Sequence, residues 1–145
     1  MRINEKYRVF PENITDFFPK CGRVYSVTTE HENSITIRCE NYIIVVYACG
    51  KDHSFSYFSQ CDTINNIVGK TITDISVNPK YIEYIAKKFD HKKTYSMKIT
   101  TKDNCIVDLL LINQCDEDYV SGYISVEFYN YENIKNKKQN KIAKK

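Results

Sequence analysis

Hydrophobic and polar residues alternate most regularly between positions 34 and 48, and this pattern predicts two adjacent strands. Ile35, Ile37 and Cys39 fall on one face of the first strand, because successive strand side chains point to opposite sides. The following segment, 42–48, is apolar throughout and rich in β-branched residues. A continuous apolar run of this length is typical of a central strand that is covered on both faces.

The segments around this pair carry further strand and turn signals. Residues 50–52 form a turn, so we expect residues 53–58 to return as the hairpin partner of the 42–48 strand. Asp62 can cap a short helix that ends at Gly69. Similar patterns predict strands over 22–28 and 70–77 and one or two helical turns between the prolines at 11 and 19.

The clearest helix signal lies near residues 79–89. Asn78 can act as the N-cap, and Pro79 suits the first helical position. Four apolar residues then repeat at i, i+3, i+4 and i+7 and form one stripe, namely Ile82, Ile85, Ala86 and Phe89. We therefore expect one helix here, packed against a face of the sheet.

The last third of the domain predicts a meander of three strands. Residues 95–99 alternate, residues 105–112 are almost wholly apolar, and residues 120–129 alternate again. These elements predict an α+β fold with a mostly antiparallel sheet of about seven to eight strands. The length suits a single domain over residues 1–131, followed by a flexible basic tail over 132–145.

The charge is distributed unevenly along the chain. The net charge is +3, but the last eleven residues hold six lysines and no acid, which leaves 15 basic and 18 acidic residues before them, a net charge of −3. Such a tail attracts phosphate or an acidic surface. The composition is also rich in Ile, Lys, Asn and Tyr, residues with A/T-rich codons, and this suggests the genome of a parasite, a symbiont or a large DNA virus.

The cysteines and the N-terminus predict a reducing compartment. No apolar signal region follows Met1, and no stretch reaches the roughly 20 apolar residues of a membrane span, so we expect neither secretion nor a membrane partner. The protein is then expected in the cytoplasm, or in a virion if it is viral. Most of the six cysteines adjoin apolar runs and are expected as buried free thiols, with disulfides as the alternative in an oxidising particle.

Candidate catalytic groups are few. Cys49 and His53 could meet across the turn as a nucleophile and its base, although a buried thiol beside an exposed histidine is the simpler interpretation. The acidic loop 116–118 lacks the ligand spacing of a calcium site. The segment 69–71 lacks the upstream glycine of a phosphate-binding loop. We therefore expect a non-enzymatic protein with no cofactor and no bound metal.

Binding is the function that the sequence favours. Tyrosines are common in protein interfaces, so a protein partner or self-association is the first hypothesis. Single-stranded RNA is the alternative, because tyrosines on a sheet face can stack bases while lysines neutralise phosphates. The candidate binding residues lie on the last strand and in the tail and are Tyr123, Tyr129, Tyr131, Lys135, Lys137, Lys138 and Lys141.

Several segments resemble one known family. An aromatic strand runs into a Cys-Asp turn over residues 55–62, an Ile-Val-Gly exit follows at 67–69, and a final strand pattern spans 95–101 and 121–128. These segments cover roughly half of the chain, and they resemble a small, functionally uncharacterised domain family carried by phages and large DNA viruses. The resemblance implies a viral accessory domain with a similar strand order, and it implies no catalytic residues.

Overall fold

The computed structural model describes residues 4–50, 55–59, 61–78, 83–87, 90–115 and 122–131. In this part of the chain, ten strands form two antiparallel sheets. The strands are β1 (Arg8–Val9), β2 (Val24–His31), β3 (Ser34–Cys39), β4 (Tyr42–Gly50), β5 (Phe55–Ser59), β6 (Ile72–Val77), β7 (Glu83–Lys87), β8 (Asp90–Thr101), β9 (Ile106–Cys115) and β10 (Gly122–Asn130).

Short helical segments occupy the connections. The α-helix α1 (Ile14–Phe17) begins after Asn13, whose side chain accepts a hydrogen bond from the backbone N–H of Asp16 at 3.2 Å. The 3-10 turns are Glu5–Tyr7, Phe18–Cys21 and Cys61–Ile67. The helical turns predicted between the two prolines and after residue 61 are therefore confirmed.

The first sheet has the strand order β1-β10-β4-β3-β2. Its central strand β4 buries Ile44 and Val46 on the side of the core and Ile43 and Val45 on the opposite side. The prediction of a central strand covered on both faces is thus confirmed.

The second sheet has the order β5-β9-β8-β6, and β7 pairs with the remaining part of the long strand β8. The inner faces of the two sheets share one hydrophobic core, because stacked sheets interdigitate their inward side chains. The first sheet contributes Ile35, Ile37, Ile44, Val46 and Phe128, and the second contributes Phe58, Met97, Ile99, Val107, Leu109 and Leu111.

The predicted fold class is confirmed, since the chain is α+β and mostly antiparallel sheet, but the helix near 79–89 is wrong. Residues Glu83–Lys87 form β7, which pairs antiparallel with β8 from Glu83 opposite Thr94 to Lys87 opposite Asp90. Aromatic and β-branched residues such as Tyr84 and Ile85 suit a strand, and pairing with β8 overrides the helical stripe. Residues 79–82 and 88–89 lie outside the described part.

Two predicted strand pairings are also wrong. β5 pairs with β9 rather than with β4, from Phe55 opposite Gln114 to Ser59 opposite Leu110. β10 leaves the expected meander and crosses to the first sheet, where it pairs with β4 over nine residues. The physical reason is that β4 requires a neighbour on each side, and β10 brings the apolar side chains of Ile124 and Val126 to the shared core.

Candidate binding face

The predicted binding tyrosines of β10 lie on the side of the first sheet that points away from the shared core. Tyr123 is opposite Cys49 in the strand register, and Tyr129 is opposite Ile43. Because side chains opposite each other in a sheet share a face, β4 and β10 together build this surface. We call it the tyrosine face, defined by Tyr25, Tyr47, Tyr123, Tyr129 and Tyr131.

The tyrosines on this face differ strongly in exposure. Tyr25, in a bulge of β2, and Tyr123 expose 62% and 57% of their surface, whereas Tyr129 exposes 2%. Tyr129 packs with Ile43 and Val45 in a small apolar cluster, against which Tyr131 is half-buried. The face therefore has a closed apolar centre and two accessible rings.

A polar network holds the hydroxyl of Tyr129. This hydroxyl donates to Glu127 Oε2 at 2.9 Å and lies 3.3 Å from Glu5 Oε1. The other oxygen of Glu127 is 3.0 Å from Arg8 Nη1, so the short strand β1 is attached to β10 by an ion pair as well as by backbone pairing. Burial first, and then the hydrogen bond to Glu127, raise the pKa of Tyr129 above its usual range.

Two opposing effects act on the pKa of Tyr131, the last described tyrosine. Burial raises the pKa of Tyr131, and the guanidinium of Arg38 acts in the opposite direction. Cys39 and Tyr25 also act electrostatically on Tyr131, and both raise its pKa. The predicted lysines Lys135, Lys137, Lys138 and Lys141 lie outside the described residues.

Cys49 lies at the end of this face, beside Tyr123. Burial raises the pKa of the Cys49 thiol, and a hydrogen bond with Tyr123 only partly offsets that effect. A raised pKa keeps the thiol protonated at neutral pH, which is the reverse of what a nucleophile requires. His53, the candidate base, lies outside the described residues, as does the acidic loop 116–118.

Three further thiols lie in the interior or in a turn. Cys21 and Cys39 are fully buried, and burial raises the pKa of each to about 12. Cys105 is half-buried in the turn between β8 and β9. All three, together with Cys49, are free thiols.

The described ranges contain neither a cluster of metal ligands nor a helix that could span a membrane. There, no three side chains of His, Cys, Asp or Glu converge in a way that could hold a metal ion. Within the same ranges, no helix has the length and apolar character needed to cross a membrane.

The residues that secure the face were not predicted from the sequence. Glu5 and Arg8 lie in an N-terminal segment without hydrophobic periodicity, so nothing there indicates a contact with β10. Glu127 carries a weak signal, because a strand places residues i and i+2 on one side and so sets it beside Tyr129. Comparison of the chain with family models, curated proteins and solved structures finds no match.

Proposed function

We propose that this protein is a non-enzymatic protein-binding module that acts through the tyrosine face. The observation that carries the proposal is the exposure of Tyr25 and Tyr123 around the closed apolar centre of that face. Tyrosine gives a large contact area at low cost in side-chain entropy and is enriched at the centres of protein interfaces. The ordered centre also limits the entropy lost on binding.

The non-enzymatic part of the proposal is supported by the chemistry of the face. Its one thiol, Cys49, has a raised pKa. The carboxylate of Glu127 forms an ion pair with Arg8 and accepts a hydrogen bond from Tyr129. These groups stabilise the surface rather than present a free nucleophile or base.

We further propose a viral accessory or virion-associated setting. An amino-acid composition rich in residues with A/T-rich codons supports this setting, as does the resemblance to a domain family of phages and large DNA viruses. Its natural partner would then be a host protein, a virion protein or a second copy of the chain.

The test compares capture by surface variants. Replacing Tyr25 and Tyr123 together by alanine should abolish capture of a partner from host extract or particles. Ile106→Ala is the matched control, because Ile106 is 53% exposed on a strand of the other sheet. Equal capture by the tyrosine variant and the control would exclude the tyrosine face as the binding surface.

Binding of single-stranded RNA is the second candidate. It is favoured by the electrostatic effect of Arg38 on Tyr131, the last described residue before the lysine-rich tail. The carboxylates of Glu5 and Glu127 and the burial of Tyr129 oppose it.

The RNA hypothesis predicts joint dependence on the face and the tail. Affinity for a single-stranded oligonucleotide at low salt should fall on removing residues 132–145 and also on Tyr123→Ala, with a smaller salt dependence after truncation. Affinity that survives both changes would rule this function out.

A further inference from the structure

Within the described residues, one side of β10 has no partner strand along most of its length. β10 pairs with β4 through all nine residues, but on its other side β1 covers only Phe128 and Tyr129. Among the residues that the structure describes, no strand lies beside residues 122–127 on that side. An edge strand of this kind presents backbone donors and acceptors that can pair with another strand.

This edge lacks the features that protect the edge strands of natural sheets. Two of the other edge strands have register irregularities, at Val24/Ser26 and Thr28/His31 in β2 and at Ile72/Asp74 in β6, whereas the edge strand β5 pairs with β9 in continuous register. The register of β10 against β4 is continuous. β10 also contains no proline and no lysine, the residues that commonly prevent edge pairing.

We propose that a second copy of this chain occupies this edge through antiparallel pairing of the two β10 strands about a two-fold axis at Ile124. The proposal goes beyond the proposed function, because it concerns the backbone edge of β10 and not the exposed rings of the tyrosine face. It joins two first sheets into one continuous sheet, and the interface is isologous.

The position of the axis follows from sheet geometry. In an antiparallel pair, residues directly opposite each other point to the same face of the sheet. The two-fold axis must therefore lie between two copies of the same residue, because an axis between consecutive residues would set an inward side chain opposite an outward one. An axis at Ser125 would set residue 122 against Phe128 of the second copy, where β1 already pairs. An axis at Ile124 pairs residues 122–126 and leaves β1 of both copies in place.

The resulting contacts are compatible in size and charge. The two Ile124 side chains meet beside the half-buried edge of the core, and Val126 lies opposite Gly122, which has no side chain. On the outer face, Tyr123 covers Ser125 of the second copy. Residues 122–126 carry no charge, so no like charges oppose each other, and the adjacent Glu127 is paired with Arg8.

The first experiment measures mass by sedimentation across a micromolar to millimolar concentration series. We expect a reversible monomer–dimer equilibrium, and Tyr123→Lys should raise its dissociation constant at least tenfold by placing a lysine on the paired edge. Tyr25→Lys is the matched control, since Tyr25 is similarly exposed but lies on β2. A monomer at every concentration, or a dimer that both variants leave unchanged, would overturn the proposal.

Amide hydrogen exchange on the unmodified chain provides a second test that needs no substitution. Amides within residues 122–126 should become slower to exchange as concentration rises, while the amides of β2 should not. Unchanged exchange in a sample that sediments as a dimer would place the interface elsewhere. A strict monomer that still captures another protein through Tyr25 and Tyr123 would refute the pairing and leave the proposed function standing.

Discussion

At the scale of single residues, Tyr129 shows how the outer face of the first sheet is stabilised. Its ring is 2% exposed, so its hydroxyl had to find a partner inside the protein. Glu127 accepts that hydrogen bond while its second oxygen binds Arg8. A buried hydroxyl that bonds to a carboxylate contributes more than a neutral hydrogen bond, because the acceptor is charged.

Tyr129→Phe is therefore predicted to lower the free energy of unfolding by about 1.5–3 kcal/mol, the range for a hydrogen bond to a charged group. The ring and its packing are retained, so the loss reports the hydroxyl. Urea denaturation followed by circular dichroism measures it. Tyr25→Phe is the control and should change stability by less than about 0.5 kcal/mol, because Tyr25 is exposed. Equal effects of the two substitutions would mean that the Glu127 bond contributes nothing.

The candidate site could be predicted in part at this scale. Alternation placed Tyr123 and Tyr129 on one face correctly, because the period of a strand fixes the direction of each side chain. It could not predict that Tyr129 is buried, since the residues that cover it, such as Glu5 and Arg8, are remote in sequence.

At the scale of elements, the junction between the 3-10 turn Phe18–Cys21 and β2 depends on Gly22. Gly22 has φ +84° and ψ −168°, a region that is essentially restricted to glycine. A Cβ atom at this position would stand 2.8 Å from the Cβ of Glu40. Gly69 has the same φ, but a Cβ there would meet nothing within 4 Å. Substitutions at the two positions therefore distinguish the cost of backbone strain from the cost of a steric clash with Glu40.

Gly22→Ala should destabilise the protein by about 2–4 kcal/mol, the sum of backbone strain and a steric clash. Gly69→Ala should cost only about 1–2 kcal/mol, because strain acts alone. Thermal denaturation of both variants beside the unmodified protein measures the difference. A Gly69→Ala variant that is the less stable of the two would contradict the contact with Glu40.

The existence of elements was more predictable than their partners. Alternation predicts β3 and a long apolar run predicts β4, and both patterns are local properties of the sequence. The apolar pattern around β7 is equally compatible with a helix, and only the pairing of this segment with β8 makes it a strand. Pairing of β5 with β9 and of β10 with β4 depends on contacts between distant segments, for which a single sequence carries no signal.

At the scale of the whole molecule, the two sheets depend on each other. Neither sheet could bury its inner face alone, because the apolar side chains of one cover those of the other. Long-range strand pairings, such as β1 with β10, also connect the N-terminal segment to the last strand. A protein built in this way is expected to unfold as a unit.

This dependence predicts that a core truncation in either sheet weakens the whole molecule. Ile44 in β4 and Leu109 in β9 are both almost completely buried in the shared core. Ile44→Ala and Leu109→Ala should each lower the free energy of unfolding by about 2–5 kcal/mol, through lost burial and the cavity left behind. Ile106→Ala, on the same strand as Leu109 but exposed, should cost far less.

Hydrogen exchange in strands of both sheets decides whether the protein unfolds as one unit or as two. In each variant, hydrogen exchange of β3 and of β9 should report the same shift in stability, because a single core links the sheets. Loss confined to the strands of the substituted sheet would show that the sheets unfold separately. In that case the tyrosine face would depend on the first sheet alone, and Leu109→Ala would leave binding through Tyr123 unchanged.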